Sequence, residues 1–87
     1  MPEPQVLMYT KSWCPHCQRA RTLLARKGAR IAEVDIEMLP EKHREMIARS
    51  GRRTVPQIFI GDQHVGGADD LQALEAAGKL EPLLATG

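Results

Sequence analysis

The only two cysteines of this 87-residue chain stand three positions apart, as Cys14-Pro15-His16-Cys17, shortly after the apolar run Val6-Leu7-Met8-Tyr9. The apolar run reads as a buried strand. Pro15 suits the first turn of a helix, where its missing N–H is not needed. The segment therefore predicts a strand, a turn and a helix that begins on the two thiols. Residues three apart on a helix share a face, one turn from each other. Their Cα separation falls in the roughly 4.4–6.8 Å that a disulfide accepts. Cys14 sits at or just before the first turn, where free N–H groups and the helix dipole favour an anion, so it is the expected nucleophile. His16 would add positive charge beside it when protonated. Cys17, deeper along the helix, is the expected resolving thiol.

Other readings of the pair fare worse. A disulfide closing so small a loop stabilises almost nothing, and a stapled secreted scaffold would spread several pairs along its length. A structural zinc site needs about four ligands. The chain offers two sulfurs and the scattered His16, His43 and His64, and Pro15 stiffens the loop against wrapping a metal. A redox dithiol is the preferred reading, and no metal site is expected.

The rest of the chain fits one compact domain over residues 1–87, without repeats or linkers. Cys17, Ala20, Leu23, Leu24 and Lys27 recur at helical spacing up to Gly28. Arg30 to Ile36 reads less cleanly as a second strand. Pro40 opens a helix with Met46 and Ile47 inward and Gly51 at its end. Gln57-Ile58-Phe59-Ile60 is the clearest strand, turning at Gly61-Asp62 into His64-Val65. Asp69 with Gln72 resembles a capping box opening a helix through Leu71, Leu74 and Ala77, and Leu80, Leu83 and Leu84 suggest a last helical turn. Met38 and Met46 read as core filler, His43 and His64 as surface or edge positions. The order β-α-β-α-β-β-α demands a parallel pair first, through a right-handed crossover, and an antiparallel hairpin later.

Composition excludes several classes. Twelve basic and eleven acidic residues leave a formal net charge of +1, which gives no reason to expect nucleic acid or anionic membrane as a partner. No apolar run approaches the roughly 20 residues that span a bilayer. Met1-Pro2-Glu3-Pro4-Gln5 lacks the basic start and apolar stretch of a secretory signal. A cytoplasmic protein is expected.

Three motifs, in order and correctly spaced, make the chain resemble the glutaredoxin family, in its short bacterial dithiol type. They are Tyr9-Thr10-Lys11-x-x-Cys14-Pro15-x-Cys17, Thr54-Val55-Pro56-Gln57-Ile58-Phe59-Ile60 and Gly66-Gly67-x-Asp69-Asp70. The likeness runs almost the whole length. It implies an α/β thioredoxin fold, a four-stranded mixed sheet flanked by about three helices, with a cis peptide between Val55 and Pro56. It also implies a glutathione-dependent disulfide oxidoreductase acting in electron transport and cell redox homeostasis. Glutathione is then a cosubstrate, with no tightly bound cofactor. The partners it implies are glutathionylated or disulfide-containing proteins, ribonucleotide reductase among the family's substrates, and a monomer is expected.

Carried over residue by residue, the resemblance places Thr54, Val55 and Pro56 against the reactive thiol, with backbone hydrogen bonds to the glutathione cysteinyl unit. Lys11 resembles the family lysine that meets the glycyl carboxylate, and Arg52 or Arg53 would assist from the other side. Gly67, Ala68, Asp69 and Asp70 open the third helix, whose free N–H groups can bind the γ-glutamyl carboxylate. Asp69 and Asp70 are further candidates for the ammonium, although an N-cap is the commoner fate of Asp there.

Two departures stand out. His16 occupies the position where the family commonly has tyrosine. Cys-Pro-His-Cys is the motif of the periplasmic disulfide oxidases, so a more oxidising couple is expected. Ala68 stands where some relatives carry a third cysteine. Two alternatives remain open: a thioredoxin-like disulfide reductase without a glutathione site, and a dimer holding an iron–sulfur cluster between two Cys14 thiolates and two glutathiones. Trp13 reads as a surface ring near the substrate groove.

Overall fold

The computed structural model describes residues 6–86. Met1-Pro2-Glu3-Pro4-Gln5, read above for a targeting signal, and Gly87 lie outside them. The elements run β1 (Val6–Thr10), α1 (Pro15–Arg26), β2 (Ile31–Asp35), α2 (Pro40–Ser50), β3 (Gln57–Ile60), β4 (Gln63–Gly66), α3 (Ala68–Ala76) and α4 (Leu80–Thr86). The sheet order is β2-β1-β3-β4. β1 and β2 pair in parallel, whereas β1–β3 and β3–β4 are antiparallel, with a register shift between Ile58 and Phe59. This is the four-stranded mixed sheet of the thioredoxin fold. The segment expected as a closing helical turn is the seven-residue α4, giving four helices where about three are expected.

Side chains on a strand alternate between faces, and β1 divides the interior accordingly. Val6 and Met8 join Ala20, Leu24, Ile58, Ile60, Leu71 and Leu80 in the cluster beneath α1, α3 and α4. Tyr9 points the other way, into a smaller cluster with Ile36, Met46 and Phe59 beneath α2. The smaller cluster is reinforced by polar groups. The Tyr9 hydroxyl donates to Glu45 and accepts from Arg49 at 3.1 Å, while the Arg49 guanidinium sits 4.3 Å over the Phe59 ring. Burial, then the bond to Glu45, raises the Tyr9 pKa. β2 reads poorly in the sequence because it is the sheet's edge strand and only half-buried, so its apolar alternation is under weaker demand.

Met46 is fully buried as expected, but Met38 is 78% exposed. Asp35 at the end of β2 causes this. Its carboxylate accepts the N–H groups of Glu37 at 2.8 Å and Met38 at 3.2 Å, an Asx-type turn that holds the Met38 side chain outward. α2 closes as predicted at Gly51, which adopts φ +73°, a conformation that costs other L-residues about 1–2 kcal/mol.

Candidate active site

Cys14 is the N-cap of α1. Its backbone is extended (φ −154°, ψ 102°), and its Sγ accepts the Cys17 N–H at 3.2 Å. A sulfur thus occupies the place where serine or aspartate oxygen usually satisfies a helix's first free N–H groups, and those groups and the dipole favour negative charge there. Pro15 follows at the first helical position, as the sequence predicts. The Val55–Pro56 peptide is cis, and the Val55 carbonyl oxygen lies 3.8 Å from Cys14 Sγ. The loop from Thr54 to Pro56 therefore faces the reactive sulfur.

Cys17, one turn further on, is 1% exposed. Burial, then the hydrogen bond with Cys14, pushes its thiol up to about 11, against smaller opposing contributions from Thr10 and the Lys11 backbone. At neutral pH it is a thiol, beside a half-buried partner.

Cys14 lines two hollows, and a further one adjoins the larger of them through His16, Thr54 and Val55. A cavity of about 610 Å³ is lined by Lys11, Trp13, Cys14, His16, His43, Arg53, Thr54 and Val55, among others. A smaller one of about 230 Å³ joins His16, Thr54, Val55 and Pro56 to Arg52 and the start of α3, Gly67 to Asp70. A third, of about 320 Å³, lies on the far side of the turn, against Gln18 and Arg21. Lys11, Pro15, His16, Thr54 and Val55 thus line the first hollow with Cys14; Pro56, Gly67, Ala68, Asp69 and Asp70 line the second, and Cys17 lies one helical turn behind Cys14.

The two arginines left open in the sequence are separated by the structure. Arg53 shares the large cavity with Lys11, and no ion pair among the described residues engages either. Arg52 turns to the α3 side and pairs with Asp70 at 2.9 Å. Asp70 Oδ2 also accepts the Gly67 N–H at 2.8 Å. That backbone bond, then Arg52, holds the Asp70 carboxyl below the usual carboxylate range. The cap of α3 therefore differs from the expected one: Gly67, not Asp69, is the N-cap, and Asp70 reaches back to it. Asp69 is left exposed and pairs with Arg19 at 3.1 Å. Gly66 makes this approach possible. It has φ +116°, and a Cβ there would meet Asp70 Oδ2 at 2.4 Å.

Three contributors escaped the sequence reading. Arg19 donates to His16 Nδ1 at 3.0 Å as well as to Asp69. A guanidinium only donates, so Nδ1 is the acceptor in this contact. The i, i+3 spacing of His16 and Arg19 was a legible signal. Gln57 is fully buried. Its amide donates to the Thr54 carbonyl at 3.1 Å and accepts from His64 at 2.7 Å, bracing the Thr54–Pro56 loop from behind. His43 lines the large cavity.

An N-capping thiol, a buried high-pKa thiol one turn behind it and a facing cis-proline loop define a dithiol redox centre on a thioredoxin fold. The glutaredoxin family model matches residues 6–65. The chain is 57% identical to glutaredoxin 3 of Escherichia coli (strain K12) over 79 residues, covering 91% of this chain and 95% of that one. Among solved structures, glutaredoxin from Brucella melitensis is 56% identical with a TM-score of 0.83, covering 100% of this chain and 97% of that one. A buckwheat glutaredoxin–glutathione complex is 29% identical with a TM-score of 0.88, covering 94% of this chain and 77% of that one. The chain belongs to the glutaredoxin family.

Proposed function

We propose that this protein is a glutathione-dependent thiol–disulfide oxidoreductase that reduces protein–glutathione mixed disulfides and protein disulfides. The observation that carries the reading is the position of Cys14 Sγ. It caps α1, faces the Val55 backbone, and lines a cavity with Lys11 and Arg53, neither of them ion-paired among the described residues.

Glutathione carries two carboxylates and one ammonium at neutral pH, so its site needs opposed charges at a spacing. Lys11 and Arg53 supply cations for the glycyl carboxylate. Ala68 and Asp69 supply backbone N–H groups for the γ-glutamyl carboxylate, and the exposed Asp69 carboxylate suits the ammonium. Thr54, Val55 and Pro56 align the cysteinyl unit between them. The buckwheat complex supports this reading by family.

In the first step the Cys14 thiolate attacks the glutathione sulfur of a protein–glutathione disulfide. The S–S bond breaks, the protein sulfur departs with the electron pair and takes a proton from solvent, and a Cys14–glutathione disulfide remains. A second glutathione thiolate then attacks that disulfide, releasing oxidised glutathione and the Cys14 thiolate. For protein disulfides, the substrate forms a mixed disulfide with Cys14, and Cys17 displaces it to close the internal disulfide. No cofactor is held tightly. The protein works as a cytoplasmic monomer in electron transport and cell redox homeostasis. Its substrates are glutathionylated or disulfide-bearing proteins, ribonucleotide reductase among them by family.

The test is turnover of a glutathionylated peptide driven either by glutathione and glutathione reductase or by thioredoxin reductase. Turnover with the first system alone is expected. Turnover with thioredoxin reductase alone contradicts the reading.

A further inference from the structure

The described residues expose three large hydrophobic side chains, Trp13 at 79%, Met38 at 78% and Leu39 at 42%. All three lie beside the redox turn. Trp13 immediately precedes Cys14, and Met38 and Leu39 occupy the turn between β2 and α2. The Ser12 hydroxyl donates to Glu37 at 2.8 Å, which ties the residue before Trp13 to the residue before Met38. The exposure is built in, because Asp35 holds the Met38 N–H through its carboxylate and the Leu39 N–H through its carbonyl, both at 3.2 Å. Trp13 lines the large cavity with Lys11 and Arg53, and Met38 and Leu39 extend the exposed apolar surface beyond it.

We propose that Trp13, Met38 and Leu39 form a ledge that seats the polypeptide around a substrate's disulfide cysteine, an extended segment with an apolar side chain next to that cysteine. The ledge is continuous with the reactive groove, since Trp13 and Glu37 line the same cavity as Cys14. A chain joined to Cys14 through its own cysteine must leave the sulfur along a wall of that cavity. The α3 side is charged, carrying Arg19, Arg52, Asp69 and Asp70, whereas the opposite side leads from Trp13 and Glu37 to the exposed Met38 and Leu39. Aromatic residues and methionine are enriched at protein interfaces. An unbranched thioether adapts to differently shaped neighbours, which suits a surface that meets many substrate sequences. The proposal rests on Cys14 exchanging with protein disulfides, and deepens that reading by naming what the protein part of the substrate touches.

Trp13 is the only tryptophan in the chain, so its emission reports on the ledge directly. The Cys17→Ser variant, loaded with a pentapeptide activated as a pyridyl disulfide, traps a stable Cys14–peptide disulfide and releases pyridinethione. This loading needs no glutathione, so its result is separate from that of the glutathione-coupled assay. With leucine flanking the peptide cysteine, a blue shift of Trp13 emission is expected. Serine flanks should give a smaller shift than leucine, and Met38→Ser should reduce the leucine effect. With the second cysteine intact, Met38→Ser should lower kcat/KM for the glutathionylated leucine peptide about threefold, well under the tenfold that 1.4 kcal/mol represents. The same substitution should leave the glutathione–mercaptoethanol disulfide within about twofold. Equal emission for leucine and serine adducts, or an unaltered shift in Met38→Ser, overturns the proposal. So does a blue shift that grows with protein concentration in the absence of peptide, which would assign the ledge to a second copy of the chain.

Discussion

The surroundings of the two cysteines differ as much as any two regions of this molecule. Cys14 stands on an open rim between two hollows; Cys17, one helical turn away, is sealed behind it at 1% exposure. The residue type, helix and covalent chemistry are the same. What differs is the solvent each sulfur has been given. The rim supplies a capping N–H and a facing carbonyl, and the interior supplies burial that pushes Cys17 up to about 11. The contrast teaches that a dithiol becomes directional when a helix start divides its two sulfurs between water and core.

The comparison is broken most strongly by pH. Below about 11, Cys17 is mainly protonated, so its thiolate fraction rises about tenfold per pH unit. Release of a substrate held on Cys14 by the Cys17 route should therefore rise steeply from pH 7 to pH 9. Single-turnover release kinetics measure this, and a flat profile would remove burial as the controlling factor.

Gly66→Ala attacks the rim instead. It forces a left-handed residue and a Cβ into Asp70, at a cost of about 1–3 kcal/mol. Chemical denaturation should show that loss, and KM for a glutathionylated substrate should rise as the α3 start is displaced. Release by Cys17 should be unchanged.

His16→Tyr is the next smaller effect. Replacing the imidazole should make the couple more reducing by on the order of 30 mV, equivalent to about 1.4 kcal/mol, read by equilibration against glutathione. An unchanged potential would leave the histidine without a redox role.

Asp70→Ala removes the acceptor of the Gly67 N–H, an N-cap-type loss of about 1 kcal/mol. The sign of its pH dependence follows from its lowered pKa. The stability it contributes is present above the ordinary aspartate pKa of about 3.9 and is lost as pH falls through the lower folded value. The variant should therefore lose part of the acid-side slope of a stability–pH curve.

Much of this was legible in the residues. Pro15, Gly28, Pro40, Gly51 and Gly61 punctuate the chain, and the elements fall between them nearly as expected. The cysteine pair alone pointed to a helix starting on Cys14 with Cys17 one turn deeper, as the fold has it. The long-range contacts were not legible. Gln57 reads as one more strand residue, and only the fold shows its amide bracing Thr54 with His64 behind it. Asp69 was the reasonable N-cap by composition, yet the backbone at Gly67 begins the helix and brings Asp70 back instead. Met38 looked like core because apolar composition does not reveal an Asx turn that faces it outward. The cis Val55–Pro56 bond followed from resemblance alone, since sequence physics favours trans.

The most direct test of the central claim, that Cys14 attacks and Cys17 resolves, is glutathione-coupled deglutathionylation by the wild type, Cys14→Ser and Cys17→Ser. Loss of turnover in Cys14→Ser with retention in Cys17→Ser is the predicted result. Retained turnover in Cys14→Ser would contradict it.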